Sequence, residues 1–422
     1  MADTVEVVVE RLGALGDGVA SHAGAPLIVP FALPGERVAV RLVGRRGGVA
    51  LSELCAAVAP SPDRVAPPCR HFAACGGCAL QHAAPGPIAD WRRQTIVEAL
   101  ARAGLEAPVA APVGAGGGGR RRASWSALML HGGHVLLGYH QRRGKRLVDI
   151  QVCPQVDPAL FALAQPLREA LRAVLSAHET ADATASRLDN GIDLLLVGPR
   201  ALSLDARMAL TELAERCDLA RVAWQPRERE PAEPVALRRV PTIAMGGVPV
   251  QPPPGAFLQA TAAGEAAMVA CATAWLDGAG HVADLYAGCG TFAFPLVRGA
   301  TVVAYEGSQE MAAALDAAAR AAQLTGRLTV ARRDLEIRPL QRDEMKKLDG
   351  LLLDPPRAGA TRQCAVLASY GPARVVMASC YPPSFARDAR TLVDGGYRLV
   401  EVQPVDQFGW SHHVELIARF ER

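Results

Sequence analysis

At 422 residues the chain is longer than a typical single domain, which predicts two or three domains. An apolar fraction of 50% and a formal net charge of only +3 are typical of a globular protein, and no apolar run approaches the roughly 18 residues of a membrane span. The start, MADTVEVVVE, lacks the pattern of a signal peptide, so we expect a cytoplasmic protein, without a membrane partner and monomeric. Ten cysteines in that compartment indicate metal binding or catalysis rather than disulfides.

Residues 1–60 have the pattern of a small β-barrel. Short apolar or alternating runs at Thr4–Leu12, Pro26–Pro30 and Arg37–Val43 are separated by the turn signals Gly16-Asp17-Gly18 and Pro34-Gly35-Glu36. Barrels of this size often bind nucleic acid on one face. We therefore expect an RNA-binding barrel at residues 1–60, followed by a proline-rich linker.

Basic residues are grouped in the first half of the chain, which suits binding to a phosphate backbone. The groups are Arg45-Arg46, Arg92-Arg93, Arg120-Arg121-Arg122 and Arg142-Arg143-Gly144-Lys145-Arg146. For any single group, a solvated surface is the simpler interpretation. Four groups together favour a nucleic-acid partner.

A cysteine-rich segment follows the linker. Cys69 is separated by five residues from Cys75, which is separated by two residues from Cys78, and a Cys153-Pro154 pair comes later. This spacing suits the ligands of an iron–sulfur centre. A zinc site is the alternative, and free thiols are the third possibility. A zinc ion would take its remaining ligand from Cys153, His71 or His82.

Residues 69–250 mix helical and strand patterns and are predicted to form a central α+β domain. Helices are predicted at Pro87–Gly104 and Asp157–Ala177, and Gly132-Gly133 predicts a hairpin. The segment Ala110–Gly119 is flexible in composition, and Pro252-Pro253-Pro254 is a linker. The last domain, residues 255–422, alternates strands and helices as a parallel sheet requires.

Four strand ends of this last domain carry polar residues. The run His281–Tyr286 ends in a glycine turn at Ala-Gly288-Cys-Gly before a predicted helix Thr291–Val297, and the next strand ends at Glu306. Later strands end at Asp354-Pro355-Pro356-Arg357 and at Cys380. Parallel strands bring such ends to one edge, where open α/β sheets bind ligands. The order resembles that of class I S-adenosylmethionine-dependent methyltransferases, which implies a Rossmann-like fold.

Cys380 lies at a strand end just before a predicted helix, Ser384–Val393. The helix dipole there should lower the pKa of the thiol and favour a nucleophilic thiolate. A nucleophilic cysteine in a methyltransferase suggests chemistry at carbon 5 of a pyrimidine, because thiolate addition to carbon 6 activates carbon 5. The carbon-5 proton must then leave, and Glu415, at the start of the last apolar strand, is the candidate base.

Together these motifs resemble the RNA uridine-5 methyltransferases over nearly the whole chain. The matching segments are Phe257-Leu258-Gln259, Asp284-Leu-Tyr286-Ala-Gly288-Cys-Gly, Glu306, Leu352-Leu353-Asp354-Pro355-Pro356-Arg357, Ser379-Cys380 and His413-Val414-Glu415. The resemblance implies S-adenosylmethionine held by Gln259, Tyr286, Gly288, Glu306 and Asp354. It also implies an RNA-binding TRAM barrel and a [4Fe–4S] cluster on Cys69, Cys75, Cys78 and Cys153. Members with the cluster mostly act on large-subunit ribosomal RNA, so that substrate is favoured over transfer RNA.

Two positions depart from the family pattern. Tyr381 and Thr291 stand where the family usually has asparagine. Tyr381 is large and would alter how the target base sits, whereas Thr291 is expected to cap the following helix. Two alternatives remain at this stage: an RNA nitrogen methyltransferase, against which Arg357 and Cys380 weigh, and a non-catalytic RNA-binding protein with a methyltransferase fold.

Overall fold

The structure is a computed structural model that describes residues 4–114, 118–227 and 230–422. In chain order its strands are β1 Thr4–Leu12, β2 Gly18–His22, β3 Ala25–Val29, β4 Arg37–Arg46, β5 Val49–Ala59, β6 Val113–Gly114, β7 Arg122–Met129, β8 Val135–His140, β9 Leu147–Asp149, β10 Thr180–Leu188, β11 Gly191–Val197, β12 Arg221–Gln225, β13 Glu233–Leu237, β14 Ile243–Met245, β15 Val248–Val250, β16 His281–Leu285, β17 Thr301–Glu306, β18 Leu328–Arg332, β19 Gly350–Leu353, β20 Arg374–Ser379, β21 Arg398–Asp406 and β22 Glu415–Glu421. Its helices are α1 Pro85–Arg102, α2 Pro158–Phe161, α3 Ala164–Val174, α4 Leu204–Arg216, α5 Ala262–Trp275, α6 Ala293–Leu296, α7 Gln309–Ala321, α8 Arg342–Met345, α9 Thr361–Tyr370 and α10 Pro382–Asp394.

The first five strands close into a barrel in the order β1-β2-β3-β5-β4, with β4 pairing back onto β1. Alternation along the strands directs Val9, Leu27, Val29, Val38 and Val40 inward, where each is at most 1% exposed. The predicted small barrel is confirmed, because period-two patterning and the glycine turns at its corners are local signals.

The central region is a seven-stranded sheet in the order β13-β12-β11-β10-β7-β8-β9, with α3 and α4 packed against it. The hairpin predicted at Gly132-Gly133 joins β7 and β8. The single helix predicted at Asp157–Ala177 is wrong in detail, since α2 and α3 are separate. Pro166 cannot donate a hydrogen bond to the carbonyl of Ala162, which interrupts the helix there. Residues 115–117 of the flexible segment lie outside the described residues.

The C-terminal region is an eight-stranded sheet in the order β18-β17-β16-β19-β20-β22-β21-β6. Strands β16 to β20 run parallel, and β22 is antiparallel to both of its neighbours. One face is covered by α5, α6 and α7, and the other by α1, α9 and α10. This three-layer arrangement confirms the expected class I methyltransferase fold, and it brings the ends of β16, β17, β19 and β20 to one edge.

Helix α1 belongs structurally to the C-terminal layer, although it lies within the segment predicted as the central domain. Its apolar side chains Ile96 and Leu100 share a core with Leu353 and Phe385. The indole N–H of Trp91 also donates to the carbonyl of Gly13 in the barrel at 3.0 Å. The helix therefore connects the barrel to the sheet that carries the strand ends.

Several of the predicted basic groups are engaged within the protein. Arg142 and Arg143 both pair with Asp17 of the barrel, each at 2.6 Å. Arg92 pairs with Asp406 at 2.7 Å, and Arg121 pairs with Glu265. Arg45-Arg46 and Lys145-Arg146 are exposed at the surface. Within the described residues, no helix is both long enough and apolar enough to cross a bilayer.

Candidate active site

The glycine turn after β16 leaves an open space beside its backbone. Tyr286 and Gly288 both adopt positive φ angles, of 63° and 57°. A Cβ added at Gly288 would meet no atom within 4 Å, whereas one at Gly290 would lie 2.6 Å from the side chains of Leu315 and Phe294. Gly290 is therefore required for packing, while Gly288 faces free space that a ligand can occupy.

The carboxylate of Glu306 joins this turn to the end of β17. It accepts hydrogen bonds from the amide of Gly288 at 2.8 Å and from the amide of Ser308 at 2.6 Å. The Tyr286 hydroxyl donates to Glu336 at 2.9 Å. The structure thus brings together Tyr286, Gly288 and Glu306, three of the residues expected to hold a cofactor.

The helix expected after the turn is shorter than predicted, and its cap is different. It is confined to α6, its N-cap residue is Phe292, and no side-chain cap bond is made. The expectation that Thr291 caps the helix is therefore wrong. The turn is instead closed by backbone bonds, among them Gly290 N–H to the carbonyl of Ala287 at 2.9 Å.

Four carboxyl groups lie at the adjacent ends of the sheet, those of Asp284, Glu306, Asp354 and Glu415, and burial raises the pKa of three of them. Burial raises the pKa of Asp284 well above its usual value, and the charges of Asp354 and Glu306 raise it further. Burial also raises the pKa of Asp354 to about 7. The pKa of Glu415 is raised to about 8 by burial and then by the charge of Asp354. Near neutral pH this edge of the sheet therefore retains protons.

Two glutamines connect the last two of these carboxyl groups. Gln259 donates from Nε2 to Asp354 Oδ2 at 3.1 Å. Gln407 donates from Nε2 both to Gln259 Oε1 at 3.0 Å and to Glu415 Oε2 at 2.8 Å. The result is a continuous hydrogen-bonded chain from Glu415 to Asp354.

Cys380 lies at the end of β20, directly before α10, as the sequence predicts. Its pKa is raised to about 11, because burial and the charges of Glu415 and Asp354 outweigh its own backbone N–H and the guanidinium of Arg357. The expected lowering by the helix dipole is therefore wrong for the ligand-free protein. The helix N-terminus adds only a partial charge, whereas burial opposes the thiolate at every pH and the charges of Glu415 and Asp354 oppose it further once these groups ionise.

A small pocket of about 100 Å³ opens beside Cys380 and is shared by several parts of the chain. Leu15 of the barrel, Arg102 of α1 and His412 from the loop before β22 line it together with Cys380. The Tyr381 side chain forms part of the wall, and the guanidinium of Arg357 lies over its ring. A nucleobase that enters this pocket would reach the Cys380 thiol.

The four cysteines predicted as metal ligands line a second pocket, of about 220 Å³. Gly76 N–H donates to the His140 carbonyl at 2.9 Å, which fixes the cysteine segment on the central sheet. Gly77 N–H donates to Cys75 Sγ at 3.4 Å, and the amides of Gln155 and Val156 face Cys153. Backbone N–H donors thus face two of the four sulfurs, those of Cys75 and Cys153, and such donors suit sulfurs that bind a metal centre as thiolates.

The two candidate histidines differ in their positions. His71 lines the same pocket, and its Nε2 accepts a hydrogen bond from the amide of Gln151 at 2.9 Å. His82 is buried beside the rings of Phe31 and Phe72 and is not among the residues that line this pocket. Among the residues that the structure describes, no group of three or more His, Cys, Asp or Glu side chains is placed to hold a metal ion.

The chain is similar over its whole length to known RNA methyltransferases, although no protein-family model matches it. An RNA methyltransferase of Caulobacter vibrioides is 42% identical over 427 residues, covering 99% of this chain and 100% of that protein. The 23S rRNA (uracil(1939)-C(5))-methyltransferase RlmD of Halomonas elongata is 35% identical, covering 99% of this chain and 89% of that protein. The chain belongs to the S-adenosylmethionine-dependent RNA uridine-5 methyltransferase family.

The fold agrees with a solved structure of this methyltransferase type. The tRNA (uracil-54, C5)-methyltransferase of Pyrococcus abyssi, crystallised with S-adenosyl-L-homocysteine, superposes with a TM-score of 0.76 at 21% identity, covering 99% of this chain and 100% of that one. At that identity the likeness establishes the fold of the chain and nothing further.

Two residues of the site were not singled out from the sequence of this methyltransferase. Gln407 follows the end of β21, and a polar residue directly after a strand next to the catalytic edge is the signal that could have found it. Asp284 is fully buried, and neither of its oxygens has a hydrogen-bond partner among the described residues. The Ala293 N–H faces its carboxylate without completing a well-formed bond. The sequence signal for Asp284 is a single carboxylate within an otherwise apolar strand, a pattern that often indicates a functional residue.

Proposed function

We propose that this methyltransferase forms 5-methyluridine in RNA, with Cys380 as nucleophile and Glu415 as base. The observation that carries the proposal is the convergence of Asp354, Cys380 and Glu415 at the ends of three neighbouring strands, β19, β20 and β22. A thiol nucleophile and a base are what carbon-5 chemistry on uracil requires, and Asp354 lies beside them among the residues that would hold the cofactor. A nitrogen methyltransferase has no need of the thiol.

The first step is addition of the Cys380 sulfur to carbon 6 of the uracil. The electron pair of the carbon 5–carbon 6 bond moves to the carbonyl at carbon 4, which creates an enolate and makes carbon 5 nucleophilic. The thiol proton passes to solvent through the pocket that opens beside Cys380, and the raised pKa of Cys380 keeps the sulfur protonated until a substrate is bound. When bound, S-adenosylmethionine supplies the electrophilic methyl group that carbon 5 attacks.

The second step is removal of the carbon-5 proton and release of the enzyme. Glu415 takes this proton, the carbon 5–carbon 6 double bond re-forms, and the sulfur of Cys380 leaves carbon 6. A pKa raised to about 8 makes Glu415 a stronger base than an ordinary carboxylate when it is ionised. The pocket beside Cys380 is small, so the target uridine must leave its stack to reach the thiol.

The cofactor would be held by Gln259, Tyr286, Gly288, Glu306 and Asp354. The open space at Gly288 and the carboxylate of Glu306 beside it support a site for the methionine and ribose parts. Glu306→Gln should weaken binding of S-adenosylmethionine tenfold or more in calorimetric titration, because hydrogen bonds to a charged acceptor are worth roughly 1.5–3 kcal/mol. Asp316→Asn, on the exposed side of α7, is the control. Equal affinity of both variants would contradict the ribose assignment.

The RNA substrate we favour is large-subunit ribosomal RNA, with transfer RNA as the alternative. The Halomonas relative is named for 23S rRNA, and the site pocket in this chain includes a barrel residue, Leu15. We assign RNA binding to the barrel at residues 1–60, the cysteine site to residues 69–250 and the chemistry to residues 255–422. Mapping 5-methyluridine in ribosomal and transfer RNA from cells with and without the gene decides between the substrates.

The cysteine site would hold a [4Fe–4S] cluster on Cys69, Cys75, Cys78 and Cys153, with zinc as the alternative. A pocket of about 220 Å³ supports the larger group, because four thiolates bind a single zinc ion at only about 2.3 Å. Its role would be to tie the cysteine segment to the central sheet. Metal analysis of protein purified without oxygen should find about four irons per chain. Stoichiometric zinc would reject the cluster.

The reaction itself is tested with RNA that contains 5-fluorouridine. Fluorine at carbon 5 cannot be removed as a proton, so the carbon-5 mechanism predicts a covalent protein–RNA complex that survives denaturing electrophoresis. Cys380→Ala should form no complex and should not transfer a methyl group, whereas Cys364→Ala, a buried cysteine of α9, should form it normally. Methyl transfer by Cys380→Ala would instead favour the nitrogen methyltransferase, and no transfer by the unmodified protein would favour a non-catalytic RNA-binding protein.

A further inference from the structure

Gln407 occupies the centre of the hydrogen-bonded chain between Glu415 and Asp354. It is 2% exposed and makes three hydrogen bonds. Its Nε2 donates to Glu415 and to Gln259, and its Oε1 accepts from the amide of Ala260 at 3.1 Å. These partners lie outside the loop of Gln407. Its side chain therefore joins the segment of Gln259 and Ala260 to the start of β22 at Glu415.

The direction of these hydrogen bonds is fixed by the backbone. The amide of Ala260 can only donate, so the Gln407 oxygen must face it and the Gln407 nitrogen must face Glu415 and Gln259. Gln259 then accepts on its oxygen and donates from its nitrogen to Asp354. Each glutamine therefore presents an N–H group to a carboxyl group.

The loop that begins at Gln407 is held in place by hydrogen bonds from other segments of the chain. The carbonyl of Phe408 accepts hydrogen bonds from Arg120 at 3.1 Å and from Gln155 at 2.9 Å. The carbonyl of Trp410 accepts from the amides of Ala79 at 2.8 Å and Leu80 at 3.0 Å. Arg92 donates to the carbonyl between them, that of Gly409. Three consecutive carbonyls are thus anchored, which leaves Gln407 little freedom to move.

We propose that Gln407 is a positioning residue that holds the Glu415 carboxylate in the orientation needed to remove the carbon-5 proton, and links it to the Gln259–Asp354 pair. The proposal rests on the proposed function, because it assigns a partner to the base of that reaction. One oxygen of Glu415 is occupied by Gln407, so the other remains for the proton. An N–H donor on the ionised carboxylate also favours that form of the base.

Gln407→Met tests this assignment, because methionine has a similar length and lacks the N–H and carbonyl groups. Gln403→Met is the matched control, since Gln403 lies four residues earlier in β21 and donates to backbone carbonyls of Ala111 and Pro404 instead. With ribosomal RNA from cells that lack the gene, turnover of Gln407→Met should fall roughly tenfold to a hundredfold. The control should keep its turnover.

Two further readouts separate positioning from a general structural effect. A methyl-labelled covalent protein–RNA complex should accumulate in Gln407→Met, because addition and methyl transfer precede the impaired step. The acid limb of its pH–rate profile should move to higher pH, since Asp354 and Cys380 still face Glu415 while the Gln407 donor is lost. Gln407→Leu, a second apolar replacement that also lacks the N–H donor, should behave in the same way and guards against misfolding of the first variant.

The outcomes are decisive in both directions. Normal turnover with an unchanged pH profile in Gln407→Met or Gln407→Leu overturns the proposal. Reduced turnover without a labelled complex and without a pH shift also overturns it, since that pattern indicates a structural or cofactor effect through Gln259. Cys380→Ala is measured in parallel: if that variant still transfers methyl groups, the proposed function fails, whatever Gln407 does.

Discussion

The guanidinium carbon of Arg357 lies 4.6 Å from the centre of the Tyr381 ring, so the loop after β19 touches the residue that follows Cys380. Both residues line the pocket beside the thiol. Tyr381 is one of the two positions at which this chain departs from the family pattern. An asparagine at position 381 would have no ring, and Arg357 would then lack this stacking partner.

We expect the Tyr381 ring, rather than its hydroxyl, to orient Arg357 toward RNA. Tyr381→Phe should therefore keep the KM for ribosomal RNA, whereas Tyr381→Ala should raise it several-fold, in keeping with about 0.5–1 kcal/mol for an exposed cation–π contact. Arg357→Ala should raise KM at least as much. Steady-state methylation assays check this order. An equal loss in Tyr381→Phe and Tyr381→Ala would implicate the hydroxyl instead.

A second prediction concerns the reactivity of the thiol before RNA binds. Because burial and two carboxylates raise the pKa of Cys380 to about 11, alkylation by iodoacetamide should be slow at pH 7 and should still rise above pH 9. Glu415→Gln removes one of these charges and should shift the alkylation curve to lower pH. Glu401→Gln, at the surface of β21, is the control. Mass spectrometry of the Cys380 peptide follows the reaction, and a midpoint at pH 8 or below would show an already activated thiol.

The raised carboxyl pKa values also predict how stability depends on pH. Glu415 has a usual pKa of 4.5 and a folded-state pKa of about 8, so the folded state binds one more proton than the unfolded state between these values. The contribution of protonated Glu415 to the free energy of unfolding is fully present below about pH 4.5, and it is lost as the pH rises to about 8. Glu415→Gln should therefore raise the melting temperature of the ligand-free protein at pH 8 and change it little at pH 5. Calorimetry at the two pH values measures this, and a destabilised variant at pH 8 would contradict it.

The strand ends of the catalytic domain were predictable because their signals are local. An apolar run followed by a glycine turn or by a polar residue fixes a strand and its end within about ten residues, as at Glu306 and Cys380. Since parallel strands share one edge, the convergence of these residues follows from the fold class. The small barrel was predictable for the same reason.

The partners of these residues were not predictable, because they come from remote parts of the chain. Gln407 meets Gln259 across 148 positions, and Arg142 meets Asp17 across 125. The pKa of Cys380 was mispredicted for the same reason, since the helix is local whereas the burial and the two carboxylates are tertiary. A sequence pattern places a side chain at an edge but leaves open which charges face it.

The ion pairs of the basic groups change what is expected of RNA binding. Arg142 and Arg143 share the carboxylate of Asp17, which offsets one of their two charges, so the exposed Arg45 and Arg46 should contribute more to phosphate binding. Arg45→Gln with Arg46→Gln should lower the slope of log K against log salt by about 1–2. Arg172→Gln with Arg216→Gln, on the helices of the central sheet, changes the charge equally and should leave the slope unchanged. Equal slopes in both double variants would show that the barrel arginines do not contact RNA.

The last prediction concerns the loop that joins the cysteine site to the base. Ala79 and Leu80, directly after Cys78, donate to the carbonyl of Trp410, so loss of the proposed metal centre should loosen residues 407–413. Cys78→Ser should speed amide hydrogen exchange in that loop and lower the iron content, and the labelled covalent complex should build up because the base is less well held. Cys55→Ser, an exposed cysteine of β5, should change none of these. Equal exchange in residues 407–413 of both variants, although Cys78→Ser has lost its iron, would contradict this prediction. The loop would then be held by Arg92 and the C-terminal sheet alone. The cysteine site would stabilise the central domain without affecting Glu415.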